Sequence, residues 1–217
     1  GQVSEPTSPA IATALPVIKR PVFVAVLHDD AKARLLDDAI VEGTLHGNAK
    51  IGQGVLDLRQ GGHVTYPHRR EFDLRHGFSV ACWLYVDERG EIPVVLSCGR
   101  WQGSGWFLQR YASGWRWHVG GTDCDGGRPA PGRWTHLLAT FDGHHATLFQ
   151  DGIAVASKAC HPDRTPWSGP LFVGQYGAAP GQAYQVTGRI ARLEIYQRAL
   201  PAEDAATMFQ AEPPSSP

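Results

Sequence analysis

The stretch GRWTHLLATFDGHHATLFQDGIAV, residues 132–155, contains two Asp-Gly pairs, and each pair lies between two runs with recurring apolar residues. An Asp-Gly pair in this setting is the strongest local signal for a tight β-hairpin, because such turns need residues that tolerate a positive φ. We therefore predict three consecutive antiparallel strands at residues 134–141, 146–150 and 153–157.

Short apolar or alternating runs recur about every 8 to 15 residues along the rest of the chain, separated by Gly, Asp or Asn. They predict further strands at residues 22–28, 54–59, 63–66, 78–86, 93–98, 106–111, 115–119, 171–173 and 188–197. Two stretches carry a helical signal: residues 30–39, with weak periodicity, and residues 201–209, which open with Pro201 followed by acidic residues. This pattern predicts an all-β fold, a two-sheet antiparallel β-sandwich with a short C-terminal helical turn.

The chain has 217 residues, of which 42% are hydrophobic and 19% charged, a composition that supports a sizeable core. With a formal net charge of -1 and dispersed basic residues, the sequence offers no electrostatic footprint for nucleic acid. The longest apolar runs are shorter than the ~20 residues of a spanning helix, so we predict no transmembrane segment.

Pro, Ser, Thr and Ala are concentrated at both ends of the sequence. Residues 1–21 and residues 211–217, the latter containing PPSSP, are predicted to be linkers or extended tails. A single β-sandwich domain is predicted between them, at residues 22–210.

Four segments resemble, in order, the laminin-G-like family of concanavalin A-like lectin/glucanase folds. They are FSVACWLYV (78–86), the stretch at 132–155, LFVGQ (171–175) and GRIARLEIYQRALPAEDAATMF (188–209). The resemblance extends over about residues 22–209 and implies a jelly roll. Relatives commonly have an acidic residue after the isoleucine of the closing strand, sometimes linked to a calcium site, whereas Ala191 follows Ile190 here.

Two tryptophans occur in loop contexts, Trp101 in GRWQGSG and Trp167 in RTPWSGP. Exposed aromatic rings stack well on the apolar faces of sugars, and nearby polar groups can form hydrogen bonds. We therefore predict a ligand site composed of Trp101, Trp167, Tyr176, Arg100 and Asp125.

Trp115 and Trp117 lie two residues apart and so share one face of a predicted strand. If that face were solvated they would form an aromatic platform. Large aromatic side chains in strands more often fill the core of a sandwich, and we favour core packing.

The four cysteines are compatible with an oxidising compartment. Cys82 and Cys98 are equidistant from a predicted turn near Gly90, which would place them opposite each other as packed thiols or as a disulfide. Cys124 and Cys160 are predicted to lie in loops, where they could also be bridged. Spacing alone does not decide the pairing.

Calcium is considered at two acidic pairs, Asp123 with Asp125 before a glycine pair, and Asp29 with Asp30. The later ligands of a calcium-loop signature are missing, and a turn at residues 123–127 is the preferred interpretation. We predict no cofactor.

The sequence also contains no convincing set of catalytic residues. No predicted strand carries the clustered carboxylates of a glycosidase, since Glu71 and Asp73 lie in the charged stretch RREFDLRHG. We predict no catalytic residues and favour a non-catalytic recognition domain of a secreted or periplasmic protein, which binds carbohydrate or a protein surface through edge loops. The alternatives are an accessory module docking onto a larger assembly and a polysaccharide-cleaving enzyme.

Overall fold

The computed structural model describes residues 20–74, 77–87, 92–211 and 214. The predicted tails therefore lie almost wholly outside the described residues. In chain order the first strands are β1 (Phe23–Ala25), β2 (Lys32–Leu35), β3 (Ile40–Glu42), β4 (Thr44–His46), β5 (Lys50–Gly52), β6 (Val55–Asp57), β7 (His63–Tyr66), β8 (Phe78–Val86) and β9 (Val94–Gly99). They are followed by β10 (Gly105–Tyr111), β11 (Gly114–Val119), β12 (Thr122–Gly126), β13 (Trp134–Phe141), β14 (His145–Gln150), β15 (Ile153–Ala159), β16 (Leu171–Val173), β17 (Gly188–Tyr196) and the helix α1 (Ala202–Gln210).

The strands form two antiparallel sheets, which confirms the predicted sandwich. Within the described part of the chain, one sheet has ten strands, with a main path in the order β15-β14-β13-β8-β17-β1-β2-β3 and a β5–β6 hairpin attached to β17 through β6. The other has seven strands in the order β12-β11-β10-β9-β16-β7-β4. Strands β12 and β15 are thus the edge strands of the two sheets at the same end of the sandwich.

Both Asp-Gly hairpins form as predicted. In the first, the Asp142 carboxylate accepts hydrogen bonds from the backbone N–H groups of His144 and His145, at 2.8 and 2.7 Å. In the second, Asp151 and Gly152 both have positive φ, 52° and 79°, as a two-residue hairpin turn requires. The turns bring β13, β14 and β15 together as consecutive antiparallel strands.

Strand alternation determines which side chains reach the core. Trp106 of β10 and Trp115 and Trp117 of β11 are completely buried between the sheets, which confirms core packing for the last two. The indole of Trp106 donates to the Phe72 carbonyl at 2.7 Å. Because side chains alternate across a strand, the intervening residues of β10 and β11 lie on the outer face of the seven-stranded sheet.

The helical expectation for residues 30–39 was wrong. These residues form β2 and a turn, in which Ala33 and Leu35 are buried while Lys32 and Arg34 are exposed, a period of two and not of 3.6. The Lys32 N–H donates to the Asp30 carboxylate at 2.9 Å, a local bond that competes with helix formation.

The expected hairpin between β8 and β9 was also wrong. Strand β8 pairs with β13 and β17, whereas β9 pairs with β10 and β16 in the other sheet. Cys82 therefore lies opposite Leu137 and not opposite Cys98. The turn predicted near Gly90 lies outside the described residues.

Helix α1 confirms the predicted C-terminal helical turn. It begins after Pro201, and the buried Asp204 in its first turn accepts a 2.8 Å hydrogen bond from Arg198. Ala205 and Met208 pack on the outer face of the ten-stranded sheet. Among the described residues, no helix is both long enough and apolar enough to cross a membrane.

Candidate functional site

A cleft of about 300 Å³ lies on the outer face of the seven-stranded sheet. Its floor is formed by Val94 of β9 and by Phe107 and Gln109 of β10, which alternate with core-facing residues. Tyr176 and Tyr184, from the segment between β16 and β17, pack together at one side with ring centroids 5.0 Å apart. The cleft is thus largely aromatic, with a few polar groups, as small-molecule sites commonly are.

Trp101 lies in the tight connection between β9 and β10 and forms part of the cleft wall. Its side chain is 55% exposed. The backbone N–H of Trp101 donates to the hydroxyl of Tyr176 at 2.6 Å, and its indole N–H reaches an Asp123 oxygen at 3.4 Å. These two contacts hold a large aromatic ring at the mouth of the cleft.

Arg116 provides the charged group of the cleft. It is the register partner of Asp125 across β11 and β12, and its Nε and Nη2 each lie 2.7 Å from a different oxygen of that carboxylate. Its Nη1 lies 2.9 Å from Asp123. The guanidinium also stacks over the Tyr111 ring, 3.7 Å from the centroid. A bidentate pair, a second carboxylate and a stacked ring leave Arg116 in one defined orientation.

His118 lies beneath the ion pairs that Arg116 forms with Asp123 and Asp125. It is completely buried, stacks on Phe107 at 4.3 Å, and has one ring nitrogen, Nδ1, against Asp123. The Gly121 N–H donates to its other nitrogen, Nε2, so Nδ1 is the nitrogen that carries the proton and donates to Asp123.

Asp123 and Asp125 share the outward face of β12, but they are not arranged as an acid and nucleophile pair. Burial by itself would raise the pKa of the Asp123 carboxyl, yet the hydrogen bond from His118 and the positive charge of Arg116 hold that pKa below its usual range. A glycosidase needs one carboxyl that stays protonated near neutral pH. The arrangement suits hydrogen bonding and charge pairing better than proton transfer.

The structure brings some of the predicted site residues together. Trp101 and Tyr176 line the cleft. Asp125 accepts a hydrogen bond from Arg116, which also lines the cleft. Arg100 is exposed beside the same loop and is not among the described lining residues. Trp167 lies apart from the cleft, half-buried against the core between the sheets.

Sequence reasoning missed several lining residues: Phe107, Gln109, Tyr111, Arg116 and Tyr184. The sequence did indicate the outward position of Arg116, since this residue stands between Trp115 and Trp117. Once those two face the core, the residue between them must face outward.

The turn expected at residues 123–127 proved to be mostly strand β12. The Asp123 and Asp125 carboxylates already interact with Arg116, and Asp123 also with His118. Within the described ranges, no group of three or more His, Cys, Asp or Glu side chains could hold a metal ion.

A family model described as the concanavalin A-like lectin/glucanases superfamily matches residues 58–206. No curated protein matches the sequence. The match covers the chain from the end of β6 into α1 and therefore includes every strand that forms the cleft.

Similar solved structures include the binding domain of Paraclostridial Mosquitocidal Protein 1, with a TM-score of 0.70 and 16% identity over 88% of this chain and 52% of that one. The binding domain of botulinum neurotoxin serotype D has a TM-score of 0.68 and 12% identity over 89% and 52% of the two chains. The serotype D ligand-binding domain in complex with N-acetylneuraminic acid has a TM-score of 0.68 and 13% identity over 88% and 51%. The present chain spans about half the length of these structures, and the likeness shows the shared fold.

Proposed function

The chain belongs to the concanavalin A-like lectin/glucanases superfamily, and we propose that it is a non-catalytic domain whose cleft on the seven-stranded sheet binds carbohydrate. The observation that carries the proposal is the exposed ring of Trp101 at a cleft that also contains Tyr111 and an oriented guanidinium, that of Arg116. A sugar presents apolar C–H faces and a rim of hydroxyls, which match these two kinds of group.

Hydrogen-bonding capacity remains at the cleft floor. Gln109 donates to the Ile92 carbonyl at 3.1 Å, which orients its amide and leaves its oxygen as an acceptor for a hydroxyl. Arg116 has five N–H groups, and its interactions with Asp123 and Asp125 use three of them. The cleft therefore offers both acceptors and donors to a polyhydroxyl ligand.

The similar solved structures support a carbohydrate ligand, since one is a complex with N-acetylneuraminic acid, and another is of botulinum neurotoxin type C, whose cell entry is described as dependent upon interaction with two ganglioside molecules. The charges of this cleft favour a different sugar. Arg116 is opposed by the carboxylates of both Asp123 and Asp125, so an additional anion would be repelled. We expect neutral sugars to bind more tightly than sialylated ones.

The proposal places the domain in a secreted or periplasmic protein, where polysaccharides and glycoconjugates are accessible. Its non-catalytic character is supported by the pairing of Asp123 and Asp125 with Arg116. Release of sugar from extracted polysaccharides, measured as new reducing ends, would contradict it.

A second candidate function is docking onto a larger protein assembly. Val26, Leu36 and Ile40 are 50, 51 and 52% exposed around β1, β2 and β3, at one end of the ten-stranded sheet. Exposed apolar side chains at a sheet edge are a common feature of protein interfaces. Capture of a stable partner that Ile40→Asp abolishes would favour this function.

A glycan array distinguishes the two candidates. We expect wild-type protein to bind neutral glycans, Trp101→Ala to lose the signal, and Ile153→Ala to keep it, since Ile153 is 70% exposed on the other sheet. Adding EDTA should leave binding unchanged, because Arg116 already occupies the carboxylates of Asp123 and Asp125. Wild-type protein that binds no glycan on the array, with or without calcium, would overturn the carbohydrate proposal.

A further inference from the structure

Cys124 lies on β12 directly behind the charged groups of the cleft. It stands between Asp123 and Asp125, whose side chains face outward, so its own side chain points into the sandwich and is buried. Its thiol donates to the Ala146 carbonyl of β14 at 3.3 Å. Strand β12, at the edge of the seven-stranded sheet, therefore contacts β14 of the ten-stranded sheet through its inner face.

Cys160 approaches the same point from the other sheet. It directly follows β15, its N–H donates to the His144 carbonyl at 2.8 Å, and its side chain is buried. The backbone of Ala146, the residue that Cys124 also contacts, lies close enough to the Cys160 sulfur to offset part of the rise that burial causes in the pKa of that thiol. The two thiols therefore converge on one residue of β14.

The backbones that carry the two cysteines run side by side in opposite directions. At one end, the Asp163 N–H donates to the Gly120 carbonyl at 2.9 Å. At the other end, a Cβ placed on Gly126 would lie 2.6 Å from the Val155 carbonyl oxygen. Cys124 and Cys160 lie between these two contacts.

A further contact lies close to the pair, where the Lys158 ammonium donates to the Asp123 carbonyl at 3.0 Å. A disulfide needs Cα atoms about 4.4 to 6.8 Å apart. Residues of β12 and β15 approach within 8 Å of each other at their Cα atoms, and both Cys124 and Cys160 are free thiols in the structure. We propose that Cys124 and Cys160 form a disulfide that links the edge strands of the two sheets behind the cleft.

The bond forms by thiol–disulfide exchange with a small-molecule disulfide such as oxidised glutathione. The thiolate of one cysteine attacks a glutathione sulfur, which releases one reduced glutathione and leaves a mixed disulfide. The second cysteine thiolate then displaces the other glutathione. Two electrons pass from the cysteine thiols to glutathione disulfide, and the two glutathione thiols take up the two protons.

We expect this thiol–disulfide exchange to occur during folding and not in the folded protein. Burial raises the pKa of the Cys124 thiol to about 11, and burial also raises that of Cys160, so neither is a ready nucleophile once the sandwich has closed. A chain folded without oxidant should therefore keep both thiols for a long time.

The test is to refold the full chain in a glutathione redox buffer and, separately, in excess dithiothreitol. We expect non-reducing peptide mapping of the first sample to yield a fragment linking Cys124 to Cys160, and thiol titration in denaturant to find two thiols fewer. The melting temperature should rise by about 5 to 10 °C over the reduced sample, because the crosslink restricts the unfolded chain.

Cys124→Ala and Cys160→Ala should lose both the linked fragment and the redox-dependent rise in melting temperature. Cys82→Ala and Cys98→Ala are matched controls, since those two cysteines are equally buried but belong to β8 and β9 and not to the adjoining edge strands β12 and β15, and both variants should keep the rise. The mapping of wild-type protein does not depend on the variants folding. Four titratable thiols after oxidative refolding, or a linkage between Cys82 and Cys98, would overturn the proposal, whatever the glycan array shows.

Discussion

The backbone N–H of Trp101 donates a 2.6 Å hydrogen bond to the phenolic oxygen of Tyr176. Tyr176 is nearly buried, and its ring packs edge-on against Phe107 on the cleft floor with centroids 5.6 Å apart. The backbone of Trp101, which carries the exposed indole, is thereby fixed to the seven-stranded sheet through Tyr176. We infer that Tyr176 positions Trp101 more than it offers a ligand contact.

Tyr176→Phe should therefore weaken glycan binding about three- to tenfold while costing about 1 kcal/mol of unfolding free energy, the usual net value of one hydrogen bond. Calorimetric titration and urea unfolding measure the two effects. Tyr66→Phe is the matched control, because the buried Tyr66 hydroxyl has no hydrogen-bond partner among the described residues. An equal loss of affinity in both variants would show that Tyr176 has no positioning role.

Arg116→Lys tests the ion-pair network. Lysine keeps the charge but cannot reproduce the bidentate contact with Asp125, so we expect unfolding free energy to fall by about 1 to 3 kcal/mol and glycan affinity to drop. The corresponding change at the more exposed Asp57–Arg59 pair, Arg59→Lys, should lower the unfolding free energy less than Arg116→Lys does. Equal stabilities of the two variants in urea unfolding would argue against a special role for Arg116.

His136 should make the fold sensitive to mild acid. Its ring packs against Trp83, and burial, together with the charge of Arg192, lowers its pKa from 6.5 to about 4. The unfolded chain therefore takes up a proton at this residue between pH 6.5 and 4, whereas the folded chain does not. The contribution of neutral His136 to the unfolding free energy is fully present above pH 6.5. It is lost as the pH drops toward 4, by roughly 3 kcal/mol in all.

Urea unfolding at pH 7.5 and pH 5.0 measures this effect. We expect His136→Gln to lose about 2 kcal/mol less than wild type between the two pH values, whatever its stability at pH 7.5. His161→Gln, at an exposed position, should retain the wild-type dependence. A His136→Gln variant with the wild-type pH dependence would show that this histidine is not held neutral.

The parts of the fold that local signals specify could be predicted from the sequence. The turns at Asp142 and Asp151 allowed β13, β14 and β15 to be predicted as a consecutive antiparallel set. Pairing between distant strands could not be predicted in this way. Strands β8 and β9 are neighbours in sequence, and neighbouring strands often pair, but here the chain crosses from one sheet to the other between them.

The cleft was only partly predictable for a related reason. Trp101 was identified because a tryptophan among glycines suggests an exposed loop. Gln109 and Arg116 are ordinary polar residues until one knows which face of β10 and β11 is buried. Tyr184 reaches the cleft from a segment more than 70 residues farther along the chain than Gln109, a distance that no local pattern can bridge.

The most direct test of the central claim is calorimetric titration of the strongest array glycan into wild-type protein, Trp101→Ala and Ile153→Ala. If the cleft beside Trp101 is the binding site, Trp101→Ala should bind at least about tenfold more weakly, a loss of about 1.4 kcal/mol, and Ile153→Ala should match wild type. Wild-type affinity in a folded Trp101→Ala protein would contradict the account.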